Sequence, residues 1–231
     1  VDSTMAEAAR RAPSIDQPTW IIAKTQTAAR GRRGRSWVVP KGNLNATLVF
    51  RPEATAAEAA KRSFLAANAL FAALSIYVSS EKLALKWPND VLLSGGKVAG
   101  ILLESSGSGR FVDFLSIGIG VNLKHKPEGV ADTSFPPTSL MAAGGWEVEP
   151  HDFLSTLADA YATQEAKLLR LGFGRIREDW LRNAARLGEV ITARTGREDV
   201  TGIFDTIDKD GNLVLITGTG PRAISAADVF F

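Results

Sequence analysis

Four apolar stretches lie between residues 83 and 121 with too little chain between them for helices, and that spacing constrains the fold more than anything else in the sequence. They are residues 83–87, 91–93, 98–103 and 111–121. A parallel neighbour needs a crossover of roughly a dozen residues or more, so these strands belong in a mixed or antiparallel sheet rather than a Rossmann-type one. Ser94-Gly95-Gly96 is short enough for a hairpin turn, and residues 105–109 (SSGSG) make a longer tip. Upstream, residues 20–23 and 45–50 read as two further strands.

The helical signals are fewer. Thr55-Ala56-Ala57-Glu58 has the form of a capping box, and Phe64, Leu65, Asn68, Phe71, Leu74 and Ile76 follow mostly three or four residues apart. Phe153, Leu154, Leu157, Tyr161 and Leu168 repeat in the same way towards Gly172, and Ile176, Trp180 and Leu181 suggest one more short helix. From about Gly188 only short strand-like pieces remain, with Asp208-Lys209-Asp210-Gly211 as a turn between two of them. The expected organisation is an α/β (α+β) domain over residues 1–185, with a central sheet flanked by helices, and a small β domain over residues 186–231.

Composition removes several chemistries. The chain has 231 residues, 45% hydrophobic and 23% charged, which suits a globular core. No apolar run approaches the roughly 18 residues of a membrane span, so no membrane partner is expected. The opening residues lack the apolar core of a signal peptide. Position 1 is Val rather than an initiator Met, so the numbered chain is compatible with a start downstream of a longer natural N-terminus. With no cysteine, disulfides, thiol catalysis and cysteine-bound metals are excluded. His125 and His151 stand far apart, so neither a histidine metal site nor a Ser-His-Asp triad is expected; a metal here would be a hard cation arriving with a phosphate substrate. Lack of cysteine fits a reducing cytoplasm. Net charge is only +2, yet Arg30, Arg32, Arg33 and Arg35 crowd within six residues with no acid among them.

That cluster, in residues 26–37 (QTAARGRRGRSW), admits three readings: a solvated loop, a nucleic-acid patch with Trp37 as a stacking surface, or an anion or nucleotide site built from glycine-flanked guanidinium forks. No P-loop pattern occurs. Lys86-Trp87-Pro88-Asn89-Asp90 is either a plain turn or a place where Lys86 meets phosphate and Asp90 meets Mg²⁺. Lys97 heads a strongly apolar strand, as many lysines do where a strand meets water. Gly118 and Gly120 alternate in a strand, which weakens it and points to a close approach by a ligand or another backbone.

Taken in order, ARGRRGRSW, KWPND, GKVAGILLE and IGIGVN closely resemble the biotin–protein ligases, and Asp2-Ser3-Thr4 resembles that family's first biotin-contacting segment. The resemblance covers roughly residues 1–125 by motifs and extends more loosely to the C-terminus. It implies a catalytic domain with a central mixed sheet and a C-terminal SH3-like barrel. It also implies an enzyme that activates biotin with MgATP as biotinyl-5′-AMP and passes it to a lysine of a biotin carboxyl carrier protein domain. Ser3, Thr4 and Gln26 would then hydrogen-bond the ureido ring, with Met5 beside them. Arg30, Gly31 and Arg32 would cover the carboxylate and phosphates, with Arg33, Arg35 and Trp37 completing the nucleotide loop. Lys97 would touch both carboxylate and α-phosphate, Asn122 would meet the adenylate, and Gly118 and Gly120 would leave room for the biotin rings. Lys86 and Asp90 join the catalytic set, Asp90 as the Mg²⁺ contact. Two positions depart from the family pattern: Ala29 stands where glycine is usual, and Met5 where asparagine is common. The rivals are a lipoate–protein ligase of related fold and, from another class, a nucleic-acid module, which the small net charge disfavours. No helix-turn-helix fits within these residues, so no nucleic-acid partner is expected of them, while an exposed edge strand would suit a homodimer.

Overall fold

The computed structural model describes residues 1–38, 40–128 and 135–231. Near the N-terminus, α1 (Thr4–Arg11) is a two-turn helix started by Ser3, whose hydroxyl accepts the Ala6 N–H at 3.0 Å. The first sheet holds β1 (Thr19–Ile22), β2 (Leu44–Phe50), β3 (Leu83–Lys86), β4 (Asp90–Leu93), β5 (Gly96–Ser106) and β6 (Phe114–Val121). Their order is β1-β2-β6-β5-β4-β3 and every pairing among them is antiparallel. The sheet expected as mixed or antiparallel therefore resolves as antiparallel, and among the described residues parallel pairing is confined to isolated bridges such as Leu85 to Ala184. Ser94 and Gly95 both have positive φ, +50° and +79°, the twist a two-residue hairpin between β4 and β5 requires.

β2 is buried along its whole length because both faces of the sheet are covered. Leu44, Ala46, Leu48 and Phe50 point into the main core against α3 (Arg62–Leu74) and α4 (Pro150–Arg182). Val49 points the other way, to Ala8 and Ala12 of the α1 region. The capping box forms as expected, Thr55 N–H donating to the Glu58 carboxylate at 2.8 Å and Glu58 N–H to the Thr55 hydroxyl at 3.3 Å, but it starts the separate short helix α2 (Ala56–Ala60). α3 stops at Leu74, leaving Ile76 outside it and 61% exposed. α4 is interrupted at Gly172 (φ +74°), so the two helical runs read from the sequence meet at a glycine kink. Arg62, buried in α3, holds Glu165 of α4 through Nη2 at 2.6 Å, and the Tyr161 hydroxyl donates to the same carboxylate at 3.2 Å.

The C-terminal residues form a second antiparallel sheet, β7 (Val190–Arg194), β8 (Asp199–Ile207), β9 (Leu213–Thr217), β10 (Gly220–Ile224) and β11 (Asp228–Phe230), ordered β10-β9-β8-β7-β11. Its apolar side, with Ile191, Phe204, Leu213 and Leu215, is continuous with the core of the first sheet. Among the described residues no helix is long and apolar enough to cross a membrane.

Candidate active site

The strand register builds one row across the first sheet. Asn45 of β2 faces Gly120 of β6, Gly120 faces Gly100 of β5, Gly100 faces Asp90 of β4, and Asp90 faces Lys86 of β3. Side chains alternate across a strand, so this row lies on the face opposite α3 and α4. The two central glycines make a floor flanked by polar groups. Above it opens a cavity of about 210 Å³, lined along its length by Thr4, Arg32, Trp37, Asn45, Asp90 and Lys97 among others.

At the β4 end the site is cationic. Lys97 Nζ lies 2.6 Å from Asp90 Oδ1, and Lys86 Nζ lies 3.6 Å from Oδ2 of the same carboxylate. Burial lowers the Lys86 pKa from its ordinary value, and the adjacent Asp90 charge opposes that shift. The Lys86 ammonium also sits 4.7 Å from the centre of the Phe135 ring, and that of Lys97 5.5 Å from the Trp37 indole. Arg32 donates to Asn89 Oδ1 at 3.2 Å, and burial lowers its pKa as well. At the β2 end the groups are neutral. Thr4 N–H donates to Gln26 Oε1 at 2.7 Å, the Thr4 hydroxyl reaches the same oxygen at 3.2 Å, and Thr47 donates to the Thr4 hydroxyl at 2.8 Å.

The arginine loop closes on itself, Gly31 N–H donating to Arg35 C=O at 2.7 Å and Trp37 N–H to Ala29 C=O at 3.1 Å. Arg33 sits at φ +56°, the left-handed region. Its side chain and that of Arg35 both leave the first sheet for Asp228 of β11, at 2.8 and 2.5 Å. Burial alone would raise the Asp228 pKa; the hydrogen bond from Arg35 and the charges of Arg35, Arg33 and Arg32 outweigh it and lower the carboxyl below its ordinary value.

The cavity therefore gathers Ser3, Thr4, Met5, Gln26, Arg30, Gly31, Arg32, Arg35, Trp37, Lys86, Asp90, Lys97, Gly118, Gly120 and Asn122, all named from the sequence. Arg33 is the exception: it is not part of the lining and is spent on Asp228. Four of these residues also have partners within the protein. Ser3 is the cap of α1. A Cβ on Gly118 would come within 2.8 Å of the Met5 sulfur, and one on Gly120 within 2.5 Å of the Trp37 indole, so Met5 and Trp37 pack directly beside those glycines. Asn122, 2% exposed, ties the end of β6 to the chain beyond it by donating to Thr138 C=O at 3.0 Å. Among the described residues no cluster of three or more His, Cys, Asp or Glu side chains could hold a metal, and the carboxylates lining the cavity, Asp90 and Asp228, are both ion-paired. The sequence reading passed over Asn45, Asn89, Gly100 and Asp228. For Asn45 a signal was present: Asn45 and Thr47 are polar at alternate positions of an otherwise apolar strand, the pattern of one face turned to a polar site.

Residues 1–122, more than half of the chain, match the model of the biotin/lipoate A/B protein ligase family. This chain belongs to that family. Residues 187–231 match a second model, the biotin protein ligase C terminal domain. Among ligases of the family, the biotin–[acetyl-CoA-carboxylase] ligase of Paracoccus denitrificans is 51% identical over all of this chain and 97% of its own length. The corresponding ligase of Mycobacterium tuberculosis is 32% identical, over 90% of this chain and 77% of that protein. The bifunctional ligase/repressor BirA of Bacillus subtilis is 30% identical over 91% of this chain, which spans only 65% of that protein. In fold, the chain matches the biotin protein ligase from Aquifex aeolicus solved in complex with biotin and ATP, with a TM-score of 0.82 at 24% identity over 99% of this chain and 94% of that one.

Proposed function

We propose that this chain is a biotin–protein ligase, a biotin–[biotin carboxyl-carrier protein] ligase that uses biotin and MgATP and modifies a carrier-protein lysine. The observation that carries this reading is the polarity of the cavity. A neutral hydrogen-bonding end at Thr4 and Gln26 is joined by a glycine floor to a cationic end at Lys97, Lys86 and Arg32. An elongated acid with a polar head and a terminal carboxylate fits that arrangement, with its carboxylate among the cations.

The biotin carboxylate oxygen attacks the α-phosphorus of ATP, the bond to the bridging oxygen breaks, and pyrophosphate leaves. Negative charge spreads over the phosphate oxygens in that step, and fixed ammonium and guanidinium groups stabilise it without reorganising. Lys97 is the group between the carboxylate and the phosphate, held in place by Asp90. Mg²⁺ arrives with the nucleotide as part of the substrate, and Asp90 is the candidate contact from this chain. The carrier lysine amine then attacks the acyl carbon, AMP leaves, and the amine releases a proton. Between the two steps the arginine loop and Trp37 must keep water from the mixed anhydride.

The same reading divides the chain near residue 186, takes the second sheet as the family's SH3-like unit, and assigns the enzyme to the cytoplasm, where ATP and carrier meet. The Paracoccus and Mycobacterium relatives are named for biotin, and the neutral end of the cavity suits a ureido group better than a dithiolane, which favours biotin over lipoate. A nucleic-acid role has less support, since Arg32, Arg33 and Arg35 turn to Asn89 and Asp228 rather than presenting one free face. β1 has no strand partner on its outer edge among the described residues, which fits a homodimer that sedimentation would reveal. Incubation with MgATP, a biotin carrier domain and either biotin or lipoate, followed by mass measurement, tests the function. A carrier gaining one biotinyl group is the expected result, and a carrier modified only with lipoate, or not at all, refutes the proposal.

A further inference from the structure

Asn45 is 2% exposed, lines the cavity, and its carbonyl oxygen Oδ1 has no hydrogen-bond partner among the described residues. Its amide nitrogen makes one long contact, to Asn43 C=O at 3.5 Å. Its neighbour Asn43 is the opposite case: Asn43 Oδ1 accepts from Lys124 N–H and His125 N–H, and its nitrogen donates to His125 C=O at 2.8 Å. A buried amide oxygen left dry and unpaired costs about 1–3 kcal/mol, so a group with no structural partner that faces a binding cavity is placed for a ligand.

We infer that Asn45 is a specificity-determining residue for the acid substrate, its Oδ1 accepting a hydrogen bond from an N–H of the biotin ureido ring; the inference rests on the function proposed above. An acceptor needs a donor. Biotin offers donors only at its two ureido nitrogens, since its carboxylate and thioether carry none. The register decides which end of the acid lies at Asn45. Three strand spacings of ~4.8 Å separate it from Asp90, about 14 Å in all, so the cations that hold the carboxylate lie at the far end of the row. Asn45 also shares its strand face with Thr47, whose hydroxyl joins the Thr4 and Gln26 network at that same end. The adenine amino group and the ribose hydroxyls of the nucleotide are the other donors that the two substrates could bring to this oxygen.

Calorimetric titration of Asn45→Leu, close to isosteric but without an acceptor, separates these sources. Biotin and desthiobiotin, which keeps both ureido N–H groups, should each bind roughly five- to a hundredfold more weakly, while a non-hydrolysable ATP analogue binds as it does to the unchanged protein. Asn45→Ala, which adds no volume, serves if the leucine variant does not fold. Unchanged biotin affinity in a folded variant overturns the inference, as does a loss confined to the ATP analogue. Failure of the unchanged protein to bind biotin overturns the proposed function itself, and the inference with it.

Discussion

Lys97 and Lys86 share one carboxylate, and their surroundings separate what each can do. Lys97 is 29% exposed and reaches into the cavity beside Trp37, whereas Lys86 is 8% exposed beneath Phe135. A charge-assisted hydrogen bond is worth roughly 1.5–3 kcal/mol, about ten- to a hundredfold in rate. Lys97→Ala should slow adenylate formation by at least that factor while changing biotin affinity less. Arg32→Ala should leave adenylate formation measurable but let biotinyl-adenylate escape into solution. Single-turnover pyrophosphate release and a filter assay for free adenylate report the two steps; equal losses without leakage would refute the division. Asp90→Asn removes the charge that opposes the burial-driven lowering of the Lys86 pKa. The ammonium form then persists only to a lower pH, so the alkaline limb of the adenylation rate should move towards neutrality. A uniform fall with the limb unmoved would show that Asp90 acts on something other than Lys86, such as the nucleotide's metal.

At the scale of elements, the arginine loop is fastened to β11 by Asp228, a contact that no sequence pattern announces because 193 residues separate Arg35 from its partner. Asp228→Asn should free the loop and speed tryptic cleavage among residues 30–35 by severalfold in the ligand-free protein, with no change expected at other sites. The Asp228 carboxyl is held below its ordinary range, so its ion pairs are complete above the unfolded-state pKa and are lost only as pH falls through the lowered folded value. Loop protection should therefore persist through mildly acidic pH, and its loss near neutrality would contradict the ion pairing. The strands between 83 and 121 and the split of α4 at Gly172 were legible because periodicity and glycine act locally. α1 was not read as a helix, since it has only eight residues and buries few of them. Phe111, counted into β6 for its apolar character, lies outside the strand and is 48% exposed. The motif-bearing side chains were likewise legible in the sequence. Asn45, Gly100 and Asp228 matter through register and long-range contact, which a linear pattern does not encode.

At the scale of the whole molecule, the second sheet and its flanking residues reach the site at three points. Asp228 holds the arginine loop, the Trp87 indole donates to Gly211 C=O at 3.1 Å beside the Pro88-Asn89-Asp90 segment, and Phe231 packs edge-on against Phe135, which covers Lys86. A truncation before Gly188 would remove all three and bare the apolar residues of one continuous core. It should lose ligation and aggregate, and a soluble truncated protein ligating at full rate would refute the coupling. That continuous core has a calorimetric consequence. Two parts that share an interior cannot melt independently, so a scan should show one endotherm whose van't Hoff and calorimetric enthalpies agree. A ligand that touches only the first sheet then draws the second up the temperature axis with it, by the mass-action linkage that lets any native-state ligand protect the entire cooperative unit.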